Sequence, residues 1–222
     1  EIKYIPNYIG TGKEYEQLVI VTPIYSYGMP TPVYDLLPKL DKRKPIIVIQ
    51  NYGGMVGGAD YLFYDYAKNK LGLNVVSMYK IKMIENFTLY FTVPKYYQNI
   101  QLKKCVKRVE NTVNKILKLQ YSLPEKTKTK EQKYLKNKSN WHLIGRDFCA
   151  NKDCIKCGKC VSICPVKNIV LEDGKITFGD KCIACLGCYH RCPKKAIEFK
   201  NKHKKYRYVN PYINENDIGK DL

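Results

Sequence analysis

Nine of the ten cysteines in this 222-residue chain fall between Cys149 and Cys192, most of them at two-residue gaps. Eight belong to two copies of one pattern. The first copy is Cys154-x2-Cys157-x2-Cys160-x3-Cys164-Pro165, and the second, 28 residues on, is Cys182-x2-Cys185-x2-Cys188-x3-Cys192-Pro193. Three cysteines so spaced let a turning loop present three sulfurs to one centre. The fourth sits on the short helix that follows, facing away from its own loop. Four converging thiolates suit a cubane 4Fe–4S cluster, and a fourth sulfur facing away ligates the neighbouring cluster. Cluster one is therefore expected to take Cys154, Cys157, Cys160 and Cys192, and cluster two Cys182, Cys185, Cys188 and Cys164. Structural zinc uses two Cys-x2-Cys pairs or mixed Cys/His sets, and doubled triplets with a trailing Cys-Pro do not fit that grammar.

The neighbouring residues agree with this chemistry. Gly158 and Gly187 lie inside the loops, where backbone must approach the sulfides closely. Loop N–H groups turned toward sulfur stabilise the reduced, more negative state. Pro165 and Pro193 constrain the cysteine before each of them. Ile155, Val161, Ile163, Ile169, Ile183 and Ile197 are expected to form a dry shell, and Glu172-Asp173-Gly174 a hairpin turn between pseudo-twofold halves. Cys149 is surplus and reads as a free thiol, and Cys105 as a small core residue. His142 and His190 have no assigned role. His190 could tune a potential or carry a proton, but a surface position is the simpler reading.

Cysteines clustered for metal indicate a reducing compartment, with the cytoplasm as the expected location. No run of eighteen apolar residues is present and no basic-then-apolar leader opens the chain, so neither a membrane span nor a signal peptide is expected. Lys and Arg number 39 against 20 Asp and Glu, a formal charge of +19. Two oxidised clusters at about −2 each would leave roughly +15. Such an excess fits redox partners with acidic docking surfaces, or a merely Lys-rich solvated surface. A nucleic-acid role is disfavoured, because aromatic and basic residues interleave only at 204–208.

Upstream of the cysteines the pattern is strand and helix in alternation. Residues 18–21 and 45–50 are short, β-branched runs suited to buried parallel strands, and 74–81 reads as a third. Between them, 31–40 suits a helix with Pro32 in its first turn, and 59–71 a helix closed by Gly72. Residues 97–120 form the clearest helix. Its stripe of Val106, Val109, Val113, Ile116 and Leu117 is expected to cover one face of the sheet. The expected domains are 1–120 (α/β, doubly wound), a Lys-rich linker at 121–145, and a cluster domain at 146–222 with a basic tail at 200–205.

Residues 154–193 resemble clostridial-type dicluster ferredoxins without a gap. The part before them resembles a flavodoxin-like domain, and the whole resembles flavodoxin–ferredoxin fusion proteins of anaerobic bacteria and archaea. That resemblance implies FMN at the C-terminal edge of the sheet. Its ring would meet two loops, one holding Thr22, Pro23, Tyr25, Ser26, Tyr27 and Gly28, the other Asn51, Tyr52, Gly53 and Gly54. The family's Thr/Ser/Gly phosphate loop has only Gly10-Thr11-Gly12 as a counterpart, too close to the strand at Leu18 for a helix to follow. The expectation is that the first strand, its loop and its helix lie outside this chain, which starts mid-architecture at Glu1. Residues 1–8 would then be the second strand, and FMN would be bound poorly or not at all. The function read from these residues is one-electron relay through two 4Fe–4S clusters, with exchange to FMN where it is bound. The alternative is a flavin- and iron–sulfur-dependent oxidoreductase acting on a small substrate. No residue set for hydrolysis or group transfer is present, so a carrier is expected rather than a substrate-converting enzyme.

Overall fold

In the computed structural model, which describes residues 1–200 and 206–221, the three apolar runs are the strands of one parallel sheet. They are β1 (Leu18–Pro23), β2 (Ile46–Tyr52) and β3 (Val75–Lys82), paired in the order β1-β2-β3. The crossovers are the expected helices. α1 (Thr31–Leu36) carries a proline in its first turn and tightens into a 3-10 turn at Leu37–Lys39. α2 (Ala59–Tyr64) widens into a π-helical turn at Asp65–Lys70, and Gly72 follows at φ +72°. α3 (Lys95–Leu117) starts at Pro94 and runs for 23 residues.

Register sorts the two faces of the sheet. Val19, Ile47 and Ser77 lie side by side, as do Val21, Ile49 and Tyr79. On that face the Ser77 hydroxyl donates to Ser122 O at 3.2 Å and the Tyr79 hydroxyl to Gln120 O at 2.7 Å, so the segment leaving α3 is fastened there. The opposite face carries Ile20, Val48 and Met78, then Thr22, Gln50 and Lys80. There Lys80 Nζ meets the buried Asp60 carboxylate of α2 at 2.5 Å. This is α/β architecture, with α2 on one face and the segment leaving α3 on part of the other.

Several expectations are corrected here. The valine stripe of α3 does not cover the sheet: Val106, Val109, Val113 and Leu117 are exposed, and the buried residues are Cys105 and Thr112. Seven residues apart, these two lie on one narrow helical strip. Cys105 Sγ and Arg108 both bond Lys82 O at the end of β3, and that seating turns the valines outward. Val19 and Val21 on the edge strand β1 are exposed as well.

Residues 1–8 are not a strand of this sheet. They hold a single 3-10 turn, Ile5–Asn7, with Pro6 in place of a ladder donor. The chain divides into two compact units, Ile9–Glu85 with Val93–Lys136, and Glu1–Tyr8 with Asn86–Thr92 and Asn137–Leu222. The boundaries thus differ from a contiguous 1–120, 121–145 and 146–222. Nor is the Lys-rich stretch a loose linker throughout. α4 (Glu131–Ser139) places Tyr134 at 0% exposure, its hydroxyl donating to Met29 O at 2.7 Å and its ring stacked on Tyr34. Of the expected basic tail, 201–205 lies outside the described residues. Among the described residues no helix is long and apolar enough to cross a membrane.

The cysteine-bearing unit is built from short pieces: α5 (Trp141–Arg146), β4 (Phe148–Ala150), α6 (Lys159–Ser162), β5 (Ile169–Glu172), β6 (Lys175–Phe178), α7 (Gly187–Arg191) and β7 (Ile197–Phe199). β4 pairs antiparallel with β7 and β5 with β6. The β5–β6 hairpin turns at Asp173 (φ +49°) and Gly174 (φ +70°), as Glu172-Asp173-Gly174 predicts. Its core is Leu89, Phe148, Leu186, Tyr189, Ile197 and Phe199, and it draws in Phe87, Ile144 and Phe178. Phe87 and Leu89 explain why 86–92 joins this unit: a short apolar excursion after β3 finds its burial here.

Tyr134 tests whether the Lys-rich segment is docked. Tyr134→Ala is expected to destabilise the α/β unit by about 3–5 kcal/mol, and Tyr134→Phe, which loses only the bond to Met29, by about 1 kcal/mol. Denaturant unfolding checks both, with Val113→Lys on the exposed stripe expected to stay within about 0.5 kcal/mol.

Candidate metal centres

Two voids in the cysteine-bearing unit gather the eight motif cysteines, four to each. One is lined by Cys154, Cys157, Cys160 and Cys192 with Ile155, Ile176 and Ile197. The other is lined by Cys164, Cys182, Cys185 and Cys188 with Phe148, Ile169 and Ile183. In each void three sulfurs come from one loop and the fourth from the Cys-Pro turn of the other half. Among the described residues no three Cys, His, Asp or Glu side chains are close enough to hold a single metal ion. Sulfurs spread around an apolar void suit a multi-iron group.

The backbone repeats with the motif. Lys156 and Ala184 both sit at φ +57°, and Lys167 and Lys195 at φ +49° and +52°. After each Cys-Pro turn a backbone N–H donates to the cysteine four residues earlier, Asn168 to Cys164 Sγ and Ala196 to Cys192 Sγ, both at 3.2 Å. Ala184 N–H donates to Cys182 Sγ at 3.3 Å. Such donors favour the charged sulfur. Burial acts against them: it pushes the Cys185 thiol up to about 11 and Cys188 well above the usual range, and raises Cys182 and Cys160.

The glycine expectation changes in one place. Gly158 sits at φ +72°, but its counterpart 28 residues on is Leu186, at φ +58°, rather than Gly187. A leucine in that conformation costs about 1–2 kcal/mol, offset here by a side chain 2% exposed within the aromatic core. The apolar shell is also uneven. Ile169, Ile183 and Ile197 are buried, whereas Ile155 is 55% exposed.

Cys149 lines neither void and pairs with Glu198 across the β4–β7 ladder. His190 is not a surface residue. It is buried, its Nδ1 accepts from Tyr208 N–H at 3.2 Å, and its Nε2 lies 2.7 Å from Asn86 O. That pattern selects the neutral tautomer with the proton on Nε2, and burial lowers its proton affinity, with Arg207 and Arg191 adding to the effect. The sequence offered no sign of Arg207. Its guanidinium stacks 3.6 Å from the Tyr189 ring centroid and donates to Lys195 O and Ile197 O, tying the segment after β7 across the turn that holds Cys192.

The two loops considered for a flavin lie in the α/β unit, after β1 and after β2. Thr22 is fully buried, and Pro23 ends β1. Tyr25 and Gly28 exchange backbone hydrogen bonds around Ser26 (φ +49°) and Tyr27 (φ +74°). Lys130 Nζ stands 4.6 Å from the Tyr27 ring centroid. Asn51 and Tyr52 end β2, where Asn51 O accepts from Ile24 N–H and Tyr52 O from Met83 N–H. The glycines have packing reasons of their own. A Cβ on Gly28 would come within 2.4 Å of the Tyr134 ring, and one on Gly53 within 2.3 Å of Glu85 Cα, while Gly54 faces only the Glu85 carboxylate, at 3.1 Å. At Gly10-Thr11-Gly12 no helix opens: Gly12 packs on Leu18, and Thr11 O accepts from Asp41 N–H. The residues present do not fit the phosphate of FMN, which needs convergent N–H groups at a helix start.

Residues 153–197 match the family described as a 4Fe-4S dicluster domain. The chain is also similar to the pyruvate synthase subunit PorD of Methanocaldococcus jannaschii, 35% identical over 66 residues. That match covers 28% of this chain and 76% of the relative.

From the loop geometry, FMN added to this chain is expected to bind on the order of 10 μM or more weakly. Flavin fluorescence quenching measures it, and sub-micromolar binding would show that another backbone nest serves the phosphate.

Proposed function

We propose that this chain, which belongs to the 4Fe-4S dicluster family through its residues 153–197, is an electron carrier relaying low-potential electrons one at a time. The supporting observation is the crossed pair of voids, each with four cysteines drawn from both halves of the repeat. We assign Cys154, Cys157, Cys160 and Cys192 to one 4Fe–4S cluster and Cys164, Cys182, Cys185 and Cys188 to the other. When bound, each cluster supplies a one-electron redox centre. The chain's own contribution is to hold the sulfurs, exclude water with Ile169, Ile183 and Phe148, and aim the Asn168, Ala184 and Ala196 N–H groups at sulfur. Those donors favour the reduced state.

The α/β unit reads as a flavodoxin-like domain, a reading supported by its three parallel strands in chain order with loops at their C-terminal edge. In this chain it acts as a companion to the clusters, with FMN weakly held. Partners are redox proteins whose acidic surfaces answer the formal charge of +19. The relative is named as a subunit of pyruvate synthase, so an enzyme of that type is one partner to assay. The proposed location is the cytoplasm, where thiols stay reduced.

Anaerobically reconstituted protein is expected to hold about eight iron and eight sulfide per chain, and stoichiometric zinc with little iron would overturn the assignment. Cys149→Ser and Cys105→Ser are expected to leave the cluster absorption intact, since neither residue lines a void. Cys157→Ser is expected to disrupt one cluster. Iron lost on changing Cys149 would show the ligand set to be wrong.

A further inference from the structure

The two cysteine loops are related residue by residue through the 28-residue repeat, yet they meet solvent differently. In loop two Ile183 is 6% exposed and Leu186 2%, against 55% for Ile155, the counterpart of Ile183 in loop one. Loop two is sheathed by pieces with no equivalent in the first half. Leu186 and Tyr189 are set among Leu89, Phe148, Ile197 and Phe199. The Gly145 backbone of α5 lies so close to Cys182 that a Cβ there would come to 2.5 Å from the Cys182 Cβ. The segment holding Tyr4, whose N–H donates to the Asp221 carboxylate at 2.7 Å, lines a cleft on the first half instead, with Gly158, Val161, Cys164 and Pro165.

The tip of loop one lies open. Residues 152, 153 and 155–157 are exposed, and of the ten cysteines Cys157 is the exposed one. The charges around it are mostly positive. Lys152, Lys156, Lys194 and Lys195 are exposed, and Lys159 and Lys194 line the same void as Cys154, Cys157, Cys160 and Cys192. Lys156 reaches over the β5–β6 turn at Gly174, beside Lys175. The acidic residues nearby in sequence are Asp153, Glu172 and Asp173.

We infer that the lysine-ringed surface at Ile155 and Cys157 is the docking port for an electron-carrier protein with a carboxylate-rich face, and that the sheathed loop two does not exchange directly with outside carriers. The inference rests on the relay function proposed above and assigns its point of entry. Outer-sphere exchange slows steeply as the two redox centres move apart, and the packing around Leu186 and Tyr189 holds an outside carrier farther from loop two than from the open tip of loop one. A ring of lysines around an apolar tip steers an acidic partner and sets its orientation. In each exchange the carrier would lose one electron and the chain would gain one, at the cluster that Cys154, Cys157, Cys160 and Cys192 would hold. No bond is made or broken and no proton moves.

The test uses the full chain loaded anaerobically with iron and sulfide, mixed in a stopped-flow instrument with a reduced, acidic one-cluster ferredoxin as probe. The double variant Lys156→Glu/Lys194→Glu is expected to slow exchange about tenfold or more at low salt, with the difference fading at high salt. Lys167→Glu/Lys181→Glu, placed beside Cys164 and Cys182, is expected to stay within about twofold of the parent chain. Iron content and reduction potentials, measured on each variant, are expected to be unchanged. If both pairs leave the rate unchanged, or the second pair slows it more, the port is overturned while the relay stands. A chain that takes up no iron overturns the relay and the port with it.

Discussion

Each half of the cysteine repeat shapes a void that is closed by a sulfur from the other half. The void of Cys154, Cys157 and Cys160 is closed by Cys192, and that of Cys182, Cys185 and Cys188 by Cys164. This exchange makes the two loops, the β5–β6 hairpin and the β4–β7 ladder one cooperative object. It also explains the matched positive-φ residues and the matched N–H to sulfur bonds after each Cys-Pro turn. The voids are lined largely by apolar side chains, and burial raises the thiols of Cys185 and Cys188 above their ordinary range.

On that symmetric frame the chain has built an asymmetric molecule. The first loop keeps Gly158 where the second has Leu186, and Val161 where the second has Tyr189. These two substitutions give loop two an aromatic and aliphatic core that loop one lacks, and segments distant in sequence close over it. Asn86 and Tyr208 meet at His190, and Arg207 stacks on Tyr189. The same backbone therefore carries one loop with its tip at solvent and another whose tip is packed into a core. Surroundings rather than ligands separate the two.

The α/β unit follows a different logic. Its strands obey the rule for buried parallel sheets, with continuous apolar runs and side chains covered on the face of Ile20 and Val48. Its other face is incomplete at the β1 edge, where Val19 and Val21 remain exposed, as does the valine stripe of α3. Parallel sheets are ordinarily covered on both faces, so this edge is the least finished part of the unit. The glycine-rich loops at the opposite end of the strands owe their glycines to close packing against Tyr134 and Glu85.

The cysteine spacing by itself determined how the eight cysteines group around the two voids, because a turning loop of fixed length can aim three sulfurs one way and the fourth another. The strands were legible because each is a short unbroken β-branched run bounded by turn residues, although in β1 one face of that run, at Val19 and Val21, is exposed. Proline and glycine marked the helix ends, since their backbone limits are local. Only the tertiary structure decided which apolar stripe is covered. Val106, Val109 and Val113 looked like a core face, yet a narrow strip at Cys105 and Thr112 lets the helix seat against β3, and periodicity does not report that seating. Tyr134 was hidden inside a Lys-rich run because a single buried ring leaves no periodic trace. The fates of His190 and residues 1–8, and the sheath over loop two, were also tertiary. Each depends on chain brought from roughly a hundred residues or more away, and no local pattern encodes such a meeting.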